Sequence, residues 1–100
     1  MNRQKITKEI LLNNGFKEDI RLKNVYKDLY RIENMFIGEL WTEDESPIKI
    51  DMSYKATNNN TDWNMHIDND RCETIGSADI DYVNQFNLMM EIFESKFRLS

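Results

Sequence analysis

Between Tyr82 and Phe97 the apolar residues recur with the period of a helix, and no other segment narrows so far what this chain can fold into. At 100° per residue Tyr82, Val83, Phe86, Met89, Met90, Phe93 and Phe97 fall within an arc of about 120°. The spacing predicts a helix from about Ile80 to Lys96, capped at its start by Ser77 or Asp79. A stripe of that width has to be covered by another apolar surface. The middle of the chain offers one. Ile48, Ile50, Met52 and Tyr54 alternate with Lys49, Asp51 and Ser53, and Trp63, Met65 and Ile67 alternate with Asn64, His66 and Asp68. Period two marks half-buried strands, and the polar tract from Ala56 to Asn60 between them predicts an antiparallel hairpin with one apolar and one wet face.

Upstream, Thr7 is placed to cap a short helix from Lys8 to Asn14, with Ile6 stapled onto Leu11 and Gly15 ending it ahead of Phe16. Lys17 to Asn24 is polar and gives no clear period. Val25 to Ile32 is rich in β-formers and Met35 to Trp41 is nearly continuous in apolar character, which predicts a second hairpin joined at Glu33 and Asn34. The expected fold is α+β, in the order α-β-β-β-β-α. An antiparallel four-stranded sheet carries the short N-terminal and the longer C-terminal helix on one face, and residues 1–100 form one domain.

Composition agrees with a folded chain of that size: 100 residues, 40% of them hydrophobic and 31% charged, allow one core but not two. No apolar run approaches the length of a membrane span, no secretory run follows the first residues, and a single cysteine, Cys72, fits a reducing compartment. The expected location is cytoplasmic. Net charge is −5 but unevenly spread, with +4 over residues 1 to 31 and −9 over the rest. An asymmetry of this kind steers association when the charges cluster in space, and is an ordinary solvated surface when they do not.

Motifs for chemistry are sparse. His66 among Asp51, Asp62 and Asp68 lacks the three or four donors that zinc needs. Asp68-Asn69-Asp70 opens like a calcium loop, but Glu73 and Asp79 occupy the positions that need Gly and Glu, so a turn is expected. Gly76-Ser77 resembles a phosphate cradle only until Asp79 and Asp81 are counted, since both would repel an anion. Cys72 has no base beside it in sequence other than His66 and reads as an idle thiol. Trp41, Trp63, Tyr26, Tyr30 and Tyr54 could stack on single-stranded nucleic acid, but acidic rather than basic residues are interleaved with the tryptophans, which favours core aromatics. No catalytic group, cofactor or metal is expected. Leu88 and Ile92 form an i,i+4 pair outside the main stripe. The first helix, through Ile10 and Leu11, is expected to cover them; the alternative is a contact surface for another chain, self-association included.

Three segments carry a resemblance. LLNNGFKE from Leu11 to Glu18, WNMHIDN from Trp63 to Asn69 and CETIGSADIDYVNQF from Cys72 to Phe86 resemble small proteins of unknown function carried by phages and integrated elements of Bacteroidetes-type bacteria. Val25 to Lys55 carries no pattern of that group. Some proteins of this size and source are anti-CRISPR inhibitors, and the resemblance implies an inhibitor of an RNA-targeting CRISPR effector.

Two functional expectations follow. The first is a non-enzymatic binding protein, an inhibitor of a CRISPR effector or another host defence nuclease acting by direct contact. Its acidic residues, Glu43, Asp44, Glu45, Asp51, Asp62, Asp68 and Asp70, would compete for a basic channel. The second is an accessory domain that binds RNA, or an RNA-bound complex, through Arg3, Lys5, Lys8, Lys17, Arg21, Lys23 and Lys27.

Overall fold

The computed structural model describes residues 3–32, 34–43, 45, 47–56 and 63–100. The chain is α+β, with five strands and three helices among the described residues. Helix α1 spans Lys8–Asn13, strand β1 Lys17–Glu18, helix α2 Ile20–Tyr30, and strands β2 to β5 Asn34–Trp41, Lys49–Ala56, Trp63–Asp68 and Thr74–Ile80. Helix α3, Val83–Ile92, closes the series. All pairings are antiparallel, and the strands lie side by side in sequence order.

Cross-strand register divides the sheet into two faces. Phe36, Tyr54, Trp63 and Ile80 share one row, Gly38, Met52, Met65 and Ala78 the next, and Leu40, Ile50, Ile67 and Gly76 the third. This is the apolar face. It is covered by Leu11 from α1 and by Phe86 and Met90 from α3, with Val83, Met89, Phe93 and Phe97 packed beside them. The predicted docking of the C-terminal stripe on Ile48, Ile50, Met52, Trp63, Met65 and Ile67 is therefore what the fold uses, with both terminal helices on the same face.

Local signals near the start also hold. The Thr7 hydroxyl accepts a hydrogen bond from the Ile10 N–H at 3.2 Å, and Gly15 takes φ of 99°, a left-handed value that favours glycine. The indole N–H of Trp63 donates to the Ile6 carbonyl at 3.0 Å, tying the segment before α1 to the core. Asn14 and Asn87 hold the last residues: Asn87 exchanges two hydrogen bonds with Leu99, and Asn14 bonds Ser100.

Three expectations are corrected. Val25 to Ile32 is not a strand, because Val25 to Tyr30 belongs to α2, whose N-cap Asp19 accepts from the Leu22 N–H at 2.9 Å. The partner of β2 is instead β3, from the Asn34↔Ala56 pair to Trp41↔Lys49. Ser77 and Asp79 do not cap a helix either. They lie in β5, the fifth strand, where Gly76 leaves space for the Phe93 ring, an atom of which would sit 2.5 Å from any Cβ there. Helix α3 consequently starts later and ends sooner than predicted, with Tyr82 at its N-cap and the Gln85 side chain accepting from the Asp81 and Tyr82 N–H groups.

Candidate interaction surfaces

The second sheet face is polar and only partly covered. Helix α2 follows β1, is fixed by the Asp19 N–H donating to the Ile37 carbonyl at 2.8 Å, and lies along β2. Tyr26 packs there against a small cluster of Ile32, Met35 and Ile37. Beyond it the face opens. Glu39, Asp51, His66 and Ser77 form one cross-strand row, and Trp41, Lys49 and Asp68 the next. Between this face and α2 runs a groove of about 270 Å³, lined by Leu22 and Tyr26 from α2, by Ile37 from β2, and by Glu39, Asp51 and His66 among its polar groups.

Ion pairs connect the strands of this face. Lys49 Nζ is 3.4 Å from Glu39 Oε2 and 3.6 Å from Asp51 Oδ1. Burial pushes the Asp51 carboxyl above the usual carboxylate range, and the nearby Glu39 and Asp68 charges add to that push against the pull of Lys49 and His66. Burial alone would lower the Lys49 ammonium, but Asp51, Glu39 and Asp68 outweigh it and hold the amine above its ordinary value. His66 Nε2 lies 3.0 Å from Asp68 Oδ1 and 3.1 Å from the Thr74 hydroxyl. Asp68 Oδ1 is buried and receives no hydrogen bond, so a charged His66 would be its electrostatic partner. Among the described residues no group of three or more His, Cys, Asp or Glu is arranged to hold a metal ion.

The row Trp41, Lys49, Asp68 and Thr74 marks one end of the sheet, from which the β2–β3 and β4–β5 loops both emerge. Glu43 and Glu45 are exposed in the first loop, and Asp70 and Glu73 in the second. The fold thus places at one end of the sheet acids that are far apart in sequence. Asp44 and Asp62 lie outside the described residues. The second loop is a tight turn in which Asn69 Oδ1 accepts from the Arg71 and Glu73 N–H groups, as the turn reading of Asp68 to Asp70 expected. Cys72 sits in that loop, exposed. At the same end, Leu40, half-exposed Trp41, Phe97, Glu43, Lys17 and Lys96 line a cavity of about 680 Å³. Trp41 is therefore not a core residue, whereas Trp63 is. No protein-family model, curated protein or solved structure matches the chain.

The basic residues of the N-terminal third are dispersed. Arg3 lies over the Tyr82 ring at 5.6 Å, and Lys5 forms an isolated bridge with Tyr82. Lys8 lies over Phe36 at 5.9 Å, Lys17 stands on β1 opposite Glu39, and Lys23 pairs with Glu18 at 2.9 Å. Arg21 and Lys27 are exposed on α2. Lys8 and Lys23 both line a cavity of about 230 Å³ with Tyr54 and Trp63.

Leu88 and Ile92 are not covered by α1. They are 58% and 63% exposed, because Ile10 and Leu11 turn toward the core beneath α3 rather than around its outer side. A larger apolar surface went unread in the sequence: Leu22, Val25 and Leu29 are all exposed on α2. Their i, i+3, i+7 spacing was the available signal, and the β-forming composition of the segment masked it.

Proposed function

We propose that this chain is a non-enzymatic binding protein that acts by direct contact with a basic protein surface. The observation that carries this reading is the placement of exposed Glu43 and Glu45 at the same end of the sheet as exposed Asp70 and Glu73, on the side where the polar face carries Asp51 and Asp68. Like charges gathered this way raise a negative potential that steers encounter with a positive partner and weakens as salt screens it. The exposed pair Leu88 and Ile92 offers a further contact on α3. Nucleases that hold RNA or DNA in basic channels present the matching surface, and with the resemblance of three segments to mobile-element proteins this makes a CRISPR effector or another host defence nuclease the proposed target. Reversing Glu43, Glu45 and Asp70 to lysine together should abolish capture of such an effector and restore its nuclease activity. Unchanged capture by a variant that remains folded would overturn the reading.

Lys8 and Lys23, facing Tyr54 and Trp63 across one cavity, favour a second reading in which the chain contacts RNA. That reading requires affinity for single-stranded RNA that falls steeply as salt rises. A titration at low salt without binding would remove it.

A further inference from the structure

Helix α2 buries none of its residues, although its sequence is amphipathic. At 100° per residue Leu22, Val25 and Leu29 fall within an arc of about 60°, and they are 40%, 54% and 66% exposed. Tyr26, on one flank of this stripe, is the helix's contact with the apolar cluster of Ile32, Met35 and Ile37. The stripe itself is therefore left largely open to solvent, with only Leu22, the least exposed of the three, also lining the groove beside the sheet.

The spacing Leu22-x-x-Val25-x-x-x-Leu29 is the 3-4 repeat of a coiled-coil seam, with Leu22 and Leu29 at equivalent heptad positions and Val25 between them. Arg21 and Asp28, one heptad apart and each just before a seam leucine, occupy the flank opposite Tyr26. In an antiparallel pair of identical helices the twofold axis brings equivalent flanks together. A pair centred between Asn24 and Val25 sets Arg21 of each copy against Asp28 of the other, twice, while the seam leucines interleave around Val25. A parallel pair would instead set Arg21 and Asp28 against the flank that Tyr26 already commits to the sheet. The charge pattern is self-complementary in one orientation only.

We propose that α2 is the interface of a homodimer, an antiparallel two-helix contact sealed by Leu22, Val25 and Leu29 and oriented by Arg21 and Asp28. A helix of 11 residues is only about 16 Å long. The contact falls well short of the roughly 800 Å² per partner of a standard stable interface, so the dimer is a reversible one that builds with concentration.

Sedimentation velocity of the full chain from low micromolar to millimolar concentration should show a rapid monomer–dimer equilibrium. Leu29→Glu should raise the dissociation constant about tenfold or more while the thermal midpoint, read by circular dichroism, stays with the parent. Arg21→Asp and Asp28→Arg should each weaken the dimer, and the double variant should recover it, because the swapped pair restores both contacts. A chain that stays monomeric over the whole range overturns the proposal. So does a dimer indifferent to Leu29→Glu, or one abolished by Leu88→Glu instead. Failure of the double variant to recover association would overturn the antiparallel arrangement.

Discussion

Phe86 has no exposed surface and meets Phe16 and Phe97 edge-on, with ring centroids 6.1 and 5.9 Å away. Removing its ring leaves a cavity where three elements meet, at a typical cost of about 3–5 kcal/mol against a total stability of roughly 5–15 kcal/mol. Phe86→Ala should therefore lower the urea midpoint more than any substitution on the polar face. Gly38 is constrained in the other direction, since a Cβ there would lie 2.7 Å from the ring of Phe36, itself buried. Gly38→Ala is expected to cost about 1–3 kcal/mol through overpacking, readable in the same titration. Asp51 behaves differently because its pKa is raised by burial. The folded chain then holds a proton that the unfolded chain gives up more readily. This contribution to stability is complete below the usual carboxylate range and is lost as pH rises through the raised folded value. Asp51→Asn, which cannot ionise, should melt above the parent at neutral pH and converge with it as pH falls below the carboxylate range. A parent that stays equal to or above the variant at neutral pH would contradict that sign.

Among the elements, the two terminal helices were legible for different reasons: a cap, a staple and a glycine stop agreed for α1, whereas α3 was marked by its wide apolar stripe alone and its cap and bounds were misread. The central hairpin was legible because its alternation had one phase on each strand, and a single face is buried. Helix α2 failed this test. Val25, Tyr26, Leu29, Tyr30 and Ile32 favour strands by composition, and local preference was read ahead of their helical spacing. Strand β5 was hidden for the opposite reason: Gly76, Ser77 and Asp79 look like a turn and a cap, and as an edge strand only its last residue, Ile80, is buried. Of the proposed acidic surface the sequence showed the charges, but that the β2–β3 and β4–β5 loops leave the same end of the sheet depends on register. Because α2 draws so little from packing, its cap matters. Asp19→Ala should cost about 1 kcal/mol and speed amide exchange in α2 while the β3 and β4 amides stay protected. On α3, Leu88→Ala and Ile92→Ala should each shift stability by less than about 0.5 kcal/mol, as exposed positions do, so any loss of partner capture would report on contact rather than on folding.

Across the whole molecule, every pairing within the sheet except β1 with β2 joins strands linked by a single loop, so β2 to β5 can assemble in the order in which they are made. The cover for that sheet is not made in the same order. Ile50, Met52, Met65 and Ile67 have all been synthesised by the time β5 is complete, yet Phe86 and Met90, which seal them, belong to the last helix. At about 5–20 residues per second, a nascent chain that has exposed β5 waits on the order of seconds before α3 clears the ribosome exit, with a wet face outward and a greasy face half open. The chain is thus at its stickiest between the emergence of β5 and that of α3. A version ending at Asp81 should partition into the insoluble fraction and bind a dye for exposed apolar surface, whereas supplying residues 82–100 as a separate peptide should rescue its solubility. Because the helix that covers the sheet follows it in the sequence, the interval between the emergence of β5 and that of α3 is the one in which this protein most needs a chaperone.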